Sequence, residues 1–148
     1  MAATSVQFAV ATHLMAALAY RYGEEISSTT LAHSVNADAT FIRKSLSKLA
    51  KAGLVITTRG KTGACTLAKP PSQITLRDIY RASEAPAVLS THSYPVENTC
   101  AVSSNIHACL VDIQAATQRS VENALSSTTL ADIVTEIHKR NKKPVKHR

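Results

Sequence analysis

The chain is 148 residues long, with 17 Lys and Arg against 10 Asp and Glu, a formal net charge of +7, 45% hydrophobic residues and no Trp. That length suits one domain with an appended helical arm, and the ordinary apolar content excludes wholesale disorder. No apolar run approaches the ~20 residues needed to cross a bilayer, the N-terminus lacks a signal-peptide pattern, and three cysteines make no disulfide framework, so a reducing cytoplasm is the expected setting.

In chain order, Phe8, Ala11, Leu14 and Leu18 recur at helical spacing and predict a helix over 5–22, with Ser5 as its cap and Gly23 closing it. Ser27 or Ser28 caps a short second helix through about Val35, anchored by Leu31. Asp38 caps a third, through about Ala52, with Ile42, Leu46 and Leu49 inward and Arg43, Lys44, Ser47, Lys48 and Lys51 outward; Gly53 takes the left-handed position that ends it. The period then changes. Leu54–Thr58 and Ala64–Ala68 predict the two strands of a hairpin, joined by a turn carrying Arg59 and Lys61. A helix over Thr75–Glu84, a loop over 85–104, a long helix over about Ser104–Leu125 and a short helix capped by Thr128 complete the chain. No internal repeat is apparent.

The predicted fold is mainly α with a small β-hairpin: a winged helix-turn-helix DNA-binding domain over 1–84, the 85–104 loop, a dimerisation helix with a short closing helix over 105–139, and a basic tail over 140–148. The long helix carries Ile106, Leu110, Ile113, Thr117 and Val121 in a near-heptad stripe, which a second copy of the chain would cover as a dimer interface.

Charge follows this architecture. Residues 39–69 hold Arg43, Lys44, Lys48, Lys51, Arg59, Lys61 and Lys69 with no acid. Such a block concentrates polyanions by Coulomb attraction and counterion release. A helix fits the major groove, where side chains at its N-terminal end reach base edges; here those are Asp38, Thr40, Phe41 and Arg43. Lys44 and Lys48, further back, suit phosphates, and Arg59 and Lys61 suit the minor groove or its flanking phosphates. Glycine-rich phosphate loops, metalloprotease and nucleophile-elbow motifs are all missing from the sequence, so an enzyme is not expected.

The stretch FIRKSLSKLAKAGLV, followed by TTRGKTGACTLAKPPSQITLRDIYRASE, resembles the bacterial Rrf2 family of winged-helix transcription regulators, as do NTCAVSSNIHACL and the closing TTLADIV. The resemblance implies a cytoplasmic homodimer that reads an inverted repeat of double-stranded DNA, as a repressor by the family's habit. It places Ser28 with Asp38, Thr40, Phe41 and Arg43 at the major groove, and Arg59 and Lys61 on the wing. Several members of the family sense iron–sulfur status or nitric oxide through three closely spaced cysteines. The matching segment here has only Cys100 and Cys109, so neither a metal nor a cofactor is expected. Cys100, just before the long helix, is the candidate redox-sensing residue, because a helix N-terminus favours the thiolate; a small-molecule effector is the other candidate signal. The alternatives are a regulatory module acting mainly through a protein partner, and an iron–sulfur or metal-dependent sensor.

Overall fold

A central, alanine-rich helix organises the core. In the computed structural model, which describes residues 5–58 and 63–142, α1 (Gln7–Tyr20) buries Ala11, Leu14, Met15, Ala16, Leu18 and Ala19 and packs against four other helices. Its small side chains let neighbours approach from several directions at once, as close packing of an interior demands. The helix starts two residues later than predicted: Val6 is the capping position, and Ser5 accepts a long 3.4 Å hydrogen bond from the Gln7 N–H and donates to the Gln7 Oε1 at 3.2 Å.

The chain turns at Gly23, whose φ of +92° is a glycine conformation, and enters β1 (Ile26–Ser27), a strand the sequence did not predict. Ser27 then accepts a hydrogen bond from the Thr30 N–H and caps α2 (Ser28–Val35). Asp38 caps α3 (Ala39–Lys51) by accepting from the Thr40 and Phe41 N–H groups, and Gly53, at φ +77°, ends it. Ile42, Leu46 and Leu49 of α3 are all within the core. Strands β2 (Val55–Thr57) and β3 (Ala64–Leu67) form the expected hairpin, and β1 joins it to make a three-stranded antiparallel sheet of order β1-β3-β2. Residues as short as Ile26–Ser27 carry no periodicity, so only pairing with Ala64 and Cys65 makes them a strand.

A 3₁₀ turn (Pro71–Gln73) leads to α4 (Leu76–Ala82), the long α5 (Ala101–Ser126) and α6 (Leu130–Asn141). Helices α4 and α6 begin in the same way and at the same place. Thr75 with Asp78, and Thr129 with Asp132, each form a reciprocal capping box. The two starts pair as antiparallel backbone: the Leu76 N–H donates to the Thr128 carbonyl at 2.9 Å, and the Leu130 N–H donates to the Ile74 carbonyl at 2.8 Å. Behind the sequence lies a short repeat, Thr-Leu-x-Asp-Ile at 75–79 and 129–133, contrary to the expectation of none. The cap of α6 is therefore Thr129 rather than Thr128.

This pairing revises the predicted division of the chain. The closing helix, grouped with the dimerisation arm, instead packs on α1, and Leu130 is fully buried beside Ile74 and Ile79. Helix α5 also starts at Ala101, inside the predicted loop, and α6 runs through Asn141, into the predicted tail.

Replacing Leu130 by Ala removes a side chain with no exposure and leaves a cavity where α6 meets the core. Urea denaturation is expected to show a loss of about 2–5 kcal/mol, whereas the exposed Glu136→Ala control stays within about 0.5 kcal/mol.

Candidate nucleic-acid interface

Helix α3 presents its polar face to solvent because Ile42, Leu46 and Leu49, spaced by three and four, are claimed by the core. Thr40, Phe41, Arg43, Lys44, Ser47 and Lys51 are exposed. Asp38 does a different task from theirs. Its carboxylate accepts from the Thr40 and Phe41 N–H groups at 3.0 and 3.3 Å, so it fixes the start of the helix and the direction in which the neighbouring side chains leave it.

Lys44 and Lys48 share a cavity of about 250 Å³ with Gln7, Phe41, Ser45 and Ser83. Lys48 is drawn inward: its ammonium lies 3.6 Å from the Glu84 carboxylate. Lys44 is exposed and has no such partner among the described residues. Three residues beside these lysines, Gln7, Ser45 and Ser83, escaped the sequence reading. Ser45 follows Phe41 by one turn and precedes Lys48 by three residues, a spacing that could have found it. Gln7 comes from the first turn of α1 and had no local signal.

Ser28, the first residue of α2, is half-buried against the base of the wing. Its N–H donates to the Gly63 carbonyl at 3.3 Å. Gly63 is left-handed, at φ +52°, and a Cβ there would meet the Ser28 Oγ at 3.2 Å. Ser28 thus ties the hairpin to the helix pair. Arg59 and Lys61 of the wing lie outside the described residues.

The three cysteines have different surroundings. Cys65 is buried in β3, burial pushes its thiol pKa up, and its Sγ lies 3.4 Å from the Gly63 carbonyl. Cys100 is exposed at the cap position of α5, its Sγ accepting from the Ser103 N–H at 3.4 Å. Cys109 is exposed as well.

The stripe predicted on α5 is divided by its contacts. Gln118 donates to the Tyr80 hydroxyl and accepts from the Val88 N–H, Gln114 donates to the Leu89 carbonyl, and Glu122 accepts from Arg81 at 2.6 Å. That hydrogen bond holds the Glu122 carboxyl below the usual carboxylate range. At 100° per residue, Gln114, Gln118 and Glu122 define the side turned to α4 and the loop. Leu110, Thr117 and Val121 flank that side and are half-buried, Ile106 is half-buried beside the loop, and Ile113 is exposed. The opposite side is Val102, Cys109, Ile113 and Ala116, and no residue of α5 is fully buried.

Comparison with known proteins agrees with this architecture. Residues 4–136 match the Rrf2 family, described as an iron-dependent transcriptional regulator. The chain is 32% identical over 132 residues to YwnA of Bacillus subtilis, named as an HTH-type transcriptional regulator, covering 88% of this chain and 96% of YwnA. It is similar in structure to CymR of B. subtilis, titled a global cysteine regulator, with a TM-score of 0.63 and 28% identity over 92% of this chain and 98% of CymR. The T. potens IscR structure shares the fold, with a TM-score of 0.65 and 23% identity over 92% of this chain and 88% of that one. The family and these relatives are regulators, not enzymes.

The family's iron dependence does not transfer to these residues. A protein-held cluster takes about four thiolate or imidazole donors. Here Cys100 and Cys109 are separated by nine steps of α5, about 13 Å along its axis. Among the described residues no three His, Cys, Asp or Glu side chains gather as a metal site, so one chain does not fit a cluster. With a helix-turn-helix, a wing, a long exposed helix and a family match over nearly its whole length, the chain belongs to the Rrf2 family of transcriptional regulators.

Proposed function

We propose that this Rrf2-family regulator is a sequence-specific repressor that binds an inverted-repeat operator as a cytoplasmic homodimer. The observation that carries the reading is the row Thr40, Phe41, Arg43 and Lys44, exposed just beyond the Asp38 cap at the N-terminal end of α3. That end of a recognition helix is the part that meets base edges. Phe41 offers an apolar surface to a thymine methyl and Arg43 a fork to guanine. Lys44, Lys48 and, on the wing, Arg59 and Lys61 supply the phosphate contacts that set register, with Ser28 holding the wing against α2.

The reading head is 1–84 with α6 packed on it, and α5 is the joining arm. A 26-residue helix whose outward side is Val102, Cys109, Ile113 and Ala116 leaves apolar surface that a second copy would cover. Ile106, Leu110, Thr117 and Val121 border that interface. We further propose Cys100 as a redox-sensing residue: peroxide oxidises its thiol to a sulfenic acid with release of water, at the junction of the loop and α5. No helix among the described residues is long and apolar enough to cross a membrane.

Fluorescence anisotropy with DNA from just upstream of the gene, against a scrambled duplex at ~0.15 M salt, is expected to give a specificity ratio of ~10³ or more; equal binding to both overturns the reading. Arg43→Ala is expected to cost about 1–3 kcal/mol on the operator and little on the scrambled duplex. Lys44→Ala should weaken both alike and lower the salt slope by about 1.

Two further outcomes concern the arm. Light scattering on Ile113→Glu is expected to show a monomer where the native chain is a dimer, with far-ultraviolet circular dichroism unchanged. Cys100→Ser is expected to leave operator affinity intact under reductant and to abolish its response to peroxide; an undiminished response removes Cys100 from the signal path.

A further inference from the structure

A cavity of about 390 Å³ opens between α1, α2 and the last turns of α6, and no residue of α3, β2 or β3 lines it. It exists for a local reason. Where α1 faces α6 it carries Ala16 and Ala17, too small to fill the space. One turn on, Tyr20 stacks on His138 of α6 with ring centroids 4.7 Å apart, which props the two helices open. Leu31 and Ile137 complete an apolar floor. The volume falls at the lower end of small-molecule sites, about 300–1,000 Å³.

The polar groups select the ligand's charge. Among the described residues no carboxylate lines the cavity, and its guanidinium, the half-exposed Arg21, has its charge balanced by Glu24, to which its Nε hydrogen donates at 2.6 Å. An ion that enters loses hydration, and the described lining offers it no counter-charge that Glu24 has not already balanced. An uncharged molecule meets apolar walls and, at one edge, His13 and Ser34, which share a 3.1 Å hydrogen bond and can turn it to a ligand.

We propose that this cavity is an effector site for a small uncharged aromatic molecule with one hydrogen-bonding group, of the phenol, aryl-alcohol or indole type. Calling it an effector site rests on the DNA-binding function proposed above. The placement supplies the coupling. The ligand touches α2, the first helix of the reading pair, and α6, which follows α5 after a short turn. A ligand that binds one setting of α6 against α2 better than another shifts their populations, and with them the separation of two reading heads.

The test uses three probes of similar size: 2-phenylethanol, phenylacetate and 2-phenylethylamine. Titrated into the full-length ¹⁵N-labelled protein, 2-phenylethanol is expected to give saturable amide shifts centred on His13, Ala17, Leu31 and Ile137. The two ions should bind at least tenfold more weakly. Ala17→Leu, which fills the floor, and Ser34→Ala, which removes the polar edge, should abolish and weaken the shifts respectively. Equal binding of all three probes, or shifts centred elsewhere, overturns the site. A chain ending at Lys142 that moves the same amides without any probe also overturns it, in favour of the C-terminal segment as occupant.

Operator affinity, measured with and without saturating 2-phenylethanol, is expected to change at least threefold in the native chain and not in Ala17→Leu. An unchanged native affinity overturns the effector role. Failure of the native chain to prefer its operator without any probe is instead a failure of the DNA-binding function, because the amide shifts are measured without DNA.

Discussion

Two backbone hydrogen bonds between 74–76 and 128–130 hold the C-terminal helices to the rest of the protein. Each partner strand ends in a Thr-x-x-Asp capping box, so the groups at the start of α4 and α6 are satisfied within the pairing and can be half-buried without penalty. Ile74, Ile79 and Leu130 close over it with no exposure. Because α6 is anchored here, the far end of α5 is anchored too, and the long helix leaves the domain in a defined direction instead of trailing as a tether. Helix α1 touches both this group and the helix pair α2 and α3.

The reading head is held by small, short-range devices. Asp38 spends its carboxylate on the helix start, and Ser28 on α2 meets Gly63 at the foot of the wing. In the recognition we propose, neither residue need touch a base to matter, since a change of a few degrees in α3 moves Arg43 by more than a hydrogen bond tolerates. Lys48, drawn toward Glu84, is similarly part support and part charge.

Helix α5 divides its labour by side. Gln114, Gln118 and Glu122 are hydrogen-bonded to α4 and the loop after it, which leaves the Val102, Cys109, Ile113 and Ala116 side for another molecule. The same geometry separates Cys100 from Cys109 along the helix, and among the described residues no ligand set for a cluster gathers. The loop at Cys100 and the cavity between α1, α2 and α6 are the two places where we propose that a signal bears on the helices.

Much of the candidate interface's local structure was legible in the sequence, because it is written in local spacing. The Asp38 cap, the inward Ile42, Leu46 and Leu49, the outward Arg43 and Lys44, and the glycine that ends α3 all follow from interactions within one or two turns. The hairpin was legible for the same reason. Only the tertiary structure could make Ile26–Ser27 a strand, bring Gln7 beside Lys44 and Lys48, pair Thr75 with Thr129, or open a cavity beside Ala17. It also decided which side of α5 stays bare: the stripe in the sequence included Leu110, Thr117 and Val121, and these instead flank the side turned to α4 and the loop. Local spacing dictates which residues share a face of a helix; what that face meets depends on partners far away along the chain, and those are chosen by packing and by the need to satisfy every buried backbone group.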